Sequence, residues 1–322
     1  MVGILVGAIS MGMVFLLGSV GEIITEKSGH LNLGIPGIMC LGTAGGCFGV
    51  SLYMNSLGSP NSAEWIILII LPIITSALFS AMGGLIYAFL TVSFRVNQNV
   101  VGLALTTFGA GFAQFFMDKF VNTIRFSKAS KLIRTPLPFA EDLGWFGEIF
   151  LSYGVLVYIA IAIAIIAAII LRKTKVGLSL RAVGENPATA DAVGINVTAY
   201  KYGAILIGSA IAGLGGLLYV MEYNSGTFDN TLTIQSFGWL AIALVIFSMW
   251  KPDICILGSI IFGALYILGY KITGLESLGQ QELIKLLPYV VTIIVLIITS
   301  ITGSKENQPP ASLGTNYFRE ER

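Results

Sequence analysis

The sequence predicts an all-α polytopic membrane bundle of about nine transmembrane helices, with one short exposed helix between two of them. Three observations predict it. Mean hydropathy is +0.85. Only 11% of the 322 residues are charged, against about 25% in a soluble protein. Apolar runs of roughly 18 or more residues recur, the length that crosses a hydrocarbon core of about 30 Å. These runs do not alternate apolar with polar residues, so a β-barrel is excluded.

The runs fall at about 2–22, 35–54, 65–93, 99–120, 150–171, 201–221, 234–250, 254–271 and 283–302. The first, Val2 to Val20, lacks the basic start and small-residue cleavage site of a signal peptide and reads as a retained span. The third contains Pro72 and the pair Gly83-Gly84, which predicts a tilt or kink. Residues 121–148 are polar, contain Pro136 and Pro138, and read as a loop. Residues 1–302 form the transmembrane domain. Residues 303–322, with Pro309-Pro310, read as an extended, solvated tail. Glycines such as Gly42, Gly46, Gly208 and Gly213 lie inside runs. They predict close helix packing, or a subunit interface.

Leu171 to Tyr202 is the long polar segment between two apolar halves. Asn186 is a good N-cap, Pro187 suits the first helical position, and Gly194 can close the helix in the left-handed conformation. A short capped helix is expected over Pro187 to Val193. Lys and Arg divide eleven to seven between the two membrane faces. Arg172, Lys173 and Lys175, directly after a span, weigh most. The excess side is cytoplasmic, so the N-terminus lies outside, and the tail and the capped helix inside.

Net charge is +1, which offers nothing to nucleic acid. Cys40, Cys47 and Cys255 sit in apolar runs without paired spacing and read as small buried hydrophobes. The single histidine, His30, reads as a surface residue. No Walker A pattern, metal cluster or nucleophile triad is present, so the chain reads as a non-enzyme without a cofactor of its own. Charges gather at the ends of runs, with Glu22 and Glu222 as examples. Span interiors carry Gln114, Thr106, Thr107 and Ser209 instead. A neutral polar pathway fits an uncharged solute and offers no obvious site for ion coupling, so the energy would then have to come from elsewhere.

Two stretches and a tail carry a family resemblance. Glu26-Lys27-Ser28-Gly29-His30-Leu31-Asn32-Leu33-Gly34 resembles a signature of ABC-transporter permeases for nucleosides. That group is part of a wider one with the ribose and branched-chain amino-acid permeases. Arg181-Ala182-Val183-Gly184-Glu185-Asn186-Pro187, continuing to Asn196, is similar to the same group's cytoplasmic loop. Pro310 to Arg322 resembles the C-terminus of the shorter nucleoside permease subunit. The chain departs from the family pattern at Ile35-Pro36-Gly37 and at Phe237-Gly238-Trp239. Both departures leave the solute open to a sugar or a flavin-like vitamin. The residues alone also leave an autonomous secondary transporter open.

The resemblance implies a permease of the bacterial cytoplasmic membrane. Its partners would be a second homologous permease, a cytoplasmic ABC ATPase that uses the ATP, and an extracytoplasmic binding lipoprotein. The capped helix, through Glu185, Asn186, Pro187, Ala190, Asp191 and Gly194, is the expected contact with the ATPase. Nucleobases bind by stacking and by amide-like hydrogen bonds. Asn32, Gln98, Gln114, Gln235, Phe237 and Trp239 are therefore the expected pathway residues. A weak inverted repeat would bring the Asn32–Gly37 turn and Phe237–Trp239 together at mid-membrane.

Overall fold

The computed structural model describes residues 2–137, 143–271, 283, 284, 286–302 and 307–318, and every regular element among them is helical. The first helices are α1 (Val2–Glu26), α2 (Ile35–Ser56), α3 (Trp65–Ala88) and α4 (Gln98–Phe120). Two short helices follow, α5 (Phe126–Ile133) and α6 (Gly144–Phe150), and then α7 (Val155–Lys173). After α8 (Lys175–Glu185) and α9 (Pro187–Ala192) come α10 (Val197–Leu218), α11 (Thr231–Phe247), α12 (Pro252–Lys271) and α13 (Leu287–Thr302). Among the described residues six helices, α1 to α4, α7 and α10, are long and apolar enough to cross a membrane. The apolar parts described for α11, α12 and α13 are shorter.

Asparagines start four of the described helices, with Asn186 at α9 as the fourth. Asn97, Asn196 and Asn230 each accept a backbone N–H three residues on, at 3.2, 3.0 and 2.9 Å, which satisfies one of the orphan donors of α4, α10 and α11. α3 and α10 each run on into a π-type turn, Phe89–Ser93 and Tyr219–Tyr223. Pro72 stays inside α3, where the Thr75 hydroxyl donates to the Leu71 carbonyl at 3.0 Å.

α2 and α10 are the most enclosed helices, and α3 and α7 are mostly uncovered. On α3 the open face is Ile66, Ile70, Ile74, Leu78 and Met82, spaced one per turn. Small residues set the spacing at the centre. A Cβ on Gly42 would lie 2.3 Å from Gly213 Cα, and one on Gly21 would lie 2.2 Å from the Gly208 carbonyl. The glycine runs therefore serve packing within this chain. Cys40, Cys47 and Cys255 are buried free thiols.

Two sequence expectations change. Residues 121–148 are not simply a loop, because they contain α5 and the start of α6. α5 buries Phe126, Ala129, Ser130 and Ile133, a 3.6-residue period hidden in a polar stretch. Pro138 lies outside the described residues. The described part of the tail is not free in solution either: residues 307–318 dock onto the end of the bundle that carries α8 and α9, burying Pro310 and Ser312 while about half of the segment stays exposed. Lys285, Lys305, Arg319 and Arg322, four of the charges used for orientation, lie outside the described residues.

The α2–α10 contact gives a direct test. Gly213→Val puts a side chain where even a Cβ would meet Ser80, and overpacking costs about 1–3 kcal/mol or more. Gly203, on the same helix, has open space around it. Thermal unfolding in detergent should show a lowered midpoint for Gly213→Val and an unchanged or raised one for Gly203→Ala.

Candidate functional site

The segment between α1 and α2 is the centre of the α8–α9 end. Ser28, Gly29, His30, Asn32 and Gly34 are buried. Buried non-helical backbone needs partners for its polar groups, and four parts of the chain supply them. Glu22 Oε1 accepts from Asn32 N at 3.0 Å, and Gln98 Oε1 accepts from Leu31 N at 2.8 Å. The Tyr87 hydroxyl donates to the Leu31 carbonyl at 2.7 Å, and Thr106 Oγ1 to that of Leu33 at 2.8 Å. Gly314 N donates to the Gly29 carbonyl at 3.2 Å. Gly29 has φ +87°, and a Cβ there would strike Ser312 Oγ, so the turn requires glycine. Two polar atoms in this cluster, Glu22 Oε2 and Asn32 Nδ2, are buried without a partner.

Gln98 also ties in the tail. Its amide donates to the Thr315 carbonyl at 3.3 Å and to Asn316 Oδ1 at 3.2 Å, and Asn316 Nδ2 donates to the Arg95 carbonyl at 2.6 Å. Tyr317 Oη donates to Asp191 Oδ2 at 2.8 Å, and Ser312 N to the Gly184 carbonyl at 3.0 Å. Trp250 Nε1 donates to Glu26 Oε2 beside them. His30 is thus a buried member of this collar (1% exposed) and not a surface residue. The glycines around it let the chain fold inward.

The capped helix forms as the residues predict. Asn186 Oδ1 accepts from Thr189 N at 3.0 Å, Pro187 leads α9, and Gly194 has φ +86°. α8, capped by Thr174, precedes it, and the polar composition of that stretch hid it. α8, α9 and the start of α10 share a small core of Val183, Ala190 and Val197. Ala190 therefore faces inward. Val193, which caps the C-terminus of α9, is the large apolar residue exposed there (71%). Glu185 accepts from Ala311 N at 3.3 Å, so Glu185 and Asp191 both hold the tail.

The six expected pathway residues separate. Asn32 and Gln98 both take part in the hydrogen bonding of the buried turn between α1 and α2. Phe237 is fully buried against Phe15, Tyr219 and Tyr266, with ring centroids at 5.8, 4.8 and 5.5 Å. A Cβ on Gly238 would lie 2.4 Å from Pro36 Cα, so the start of α2 abuts the middle of α11. Gln235 and Trp239, one turn apart, lie half-exposed on α11. Gln114 is on α4, about 24 Å along the helix from Gln98. There it donates to Asp118 at 3.1 Å. Thr107, Gly111, Gln114 and Asp118 form one open polar stripe on α4, flanked by the exposed rings of Phe108, Phe112 and Phe115. The i, i+4, i+7, i+11 spacing of that stripe was readable from the sequence.

His30 makes the collar sensitive to pH. Burial, with the Lys201 charge adding to it, holds its imidazole down at about 3. An unfolded histidine titrates near 6.5. Between those values the opened segment binds a proton that the closed one refuses, so stability is full above about pH 6.5 and falls as pH drops toward 3. Amide exchange over residues 27–34 should lose protection by up to about tenfold per pH unit below 6.5. A His30→Asn variant should lack that component. Equal pH dependence in both would refute it.

Comparison with known proteins places these features in a family. Residues 4–296 match the family described as "Branched-chain amino acid transport system / permease component". The nucleoside ABC transporter permease protein NupC of Lactococcus lactis subsp. cremoris is 32% identical, over 94% of this chain and 92% of that one. The guanosine ABC transporter permease protein NupQ of Bacillus subtilis is 30% identical, over 95% and 93%. NupB of the same Lactococcus, also a nucleoside ABC transporter permease protein, is 25% identical, over 69% and 60%. This chain is a multi-pass membrane protein and belongs to the permease family of the branched-chain amino acid transport system type.

Proposed function

We propose that this chain is one of two similar permease subunits in an ATP-driven importer, and that it conducts nucleosides across the bacterial cytoplasmic membrane. The observation that carries this reading is the open polar stripe on α4. Thr107 and Gln114 face away from their own bundle on a helix long and apolar enough to cross a membrane, where polar groups are costly against lipid, and Asp118 continues the stripe into the last turn of α4. A water-filled pathway shared with the second permease relieves that cost. The flanking phenylalanines offer π faces to a base, and the Gln114 amide offers both donor and acceptor. The names of the relatives support nucleosides as the solute.

The second half of the reading is coupling. A separate cytoplasmic ATPase uses the ATP and presses on α9, with the N-terminus of the chain outside and the tail inside. An extracytoplasmic binding lipoprotein delivers the solute. α9 is suited to receive force because its own small core binds it to α10. Asn186 and Pro187 start the helix, Gly194 ends it, and Thr189 and Val193 face outward. Asn32, Gln98 and Phe237 seal the pathway in this conformation, while Gln114, Gln235 and Trp239 stand at its open walls.

Uptake of a labelled nucleoside into vesicles carrying the whole complex tests the pathway. Gln114→Leu should lower uptake about three- to tenfold, the worth of one or two hydrogen bonds, with assembly intact. Asn32→Ala and Trp239→Ala should lower it too. Uptake unchanged in all three, or competed by sugars and not by nucleosides, would reject the assignment. Coupling has its own test. A cysteine at Val193 should crosslink to the ATPase, whereas one at the inward-facing Ala190 should not. No crosslink from Val193 in any nucleotide state would count against α9 as the contact.

A further inference from the structure

A cavity of about 440 Å³ opens between the end of α3, the start of α10 and the tail. Lys201 and Arg95 both line it, with Thr198 and His30. Lys201 is only 4% exposed, and among the described residues it makes no ion pair. Asp191 is the one carboxylate on the wall, and it already accepts from Tyr317 Oη at 2.8 Å. Arg95 stacks on the Phe318 ring, 4.8 Å from its centroid. His30 Nδ1 is buried there without a partner. The cavity also meets the first turn of α10, a 22-residue helix. Asn196 caps one of the orphan N–H groups there, the Ala199 N–H, and the positive end of the helix faces the cavity.

We infer that this cavity is a binding site for a phosphate-bearing anion, with Lys201 as its principal contact. A buried ammonium without a counter-charge is costly, and among the described residues no ion pair to Lys201 is formed. An anion in the cavity pairs with Lys201 and Arg95 and receives hydrogen bonds from Thr198 Oγ1 and the start of α10, as at other helix N-termini. His30 stays neutral beside Lys201 and can donate one hydrogen bond through Nδ1 in the matching tautomer. The phosphate can arrive free from solution or on an anionic lipid headgroup. Residues of α3, α10 and the tail enclose it, so occupancy fastens the collar.

The experiment uses the full chain in its complex, reconstituted in nanodiscs. Thermal midpoints are measured against inorganic phosphate in neutral-lipid discs, and against phosphatidylglycerol content without added phosphate. A midpoint that rises with either supports the site, and the arm that responds names the source. Lys201→Met should weaken the response about ten- to hundredfold, the worth of a charge-assisted contact, and Lys201→Arg should retain most of it. Because Lys201→Met removes a buried charge, its midpoint without anion should equal or exceed that of the wild type, which separates lost binding from lost folding. A wild type that responds in neither arm, or a Lys201→Met variant that responds as the wild type does, overturns the inference.

Discussion

The structure depends on the satisfaction of one buried stretch of irregular backbone. Residues 27–34 enter the bundle before α2 begins, and each buried N–H or carbonyl left unpaired there would cost about 1–3 kcal/mol. Glu22 from α1, Tyr87 from α3, Gln98 and Thr106 from α4, and Gly314 from the tail supply the partners. These elements are far apart in sequence, so the turn fixes where the helices around it end. The glycines at 29 and 34 exist to let that convergence happen. A Cβ on Gly34 would meet Asn32 Oδ1 and Leu105.

From that turn a continuous line of contacts runs to the exposed helix. Leu31 is held by Gln98, Gln98 by Thr315 and Asn316, and the tail by Asp191 and Gly184. α9 is also bound to α10 by the Val183–Ala190–Val197 core. Displacement of α9 therefore acts on a long enclosed helix and on the turn at once. The route is made of hydrogen bonds and packed side chains between α9 and Leu31. A membrane bundle gains little from the hydrophobic effect between its helices, so such polar ties carry a large share of its specificity.

Much of this was legible in the residues. Hydropathy and run length gave the helical class and most boundaries, because lipid imposes the same length on every span. Asn186, Pro187 and Gly194 gave α9 because caps act locally. What failed depended on contacts distant in sequence. His30 looked exposed because its neighbours are polar, but those neighbours are satisfied by α1, α4 and the tail. The tail looked solvated because Pro309-Pro310 prevents helix, yet extended chain can still dock. Ala190 was a plausible contact by spacing, and only the packing of Val183 and Val197 shows that it faces inward. Gln98 and Gln114 have the same chemistry on one helix, and they differ in what lies opposite each.

The tail has a consequence for how the molecule is made. Gln98 meets Thr315 and Asn316 across more than two hundred residues of chain, and residues 307–318 follow every described helix in the sequence. The helices enter the membrane one after another as they leave the ribosome, while the inner turn has only part of its hydrogen-bond complement. The turn is finished when residues 307–318 arrive and find α4, α8 and α9 already in register. A bundle inserted with one helix misplaced offers the tail no seat. Docking of residues 307–318 therefore depends on the register of the helices that precede them.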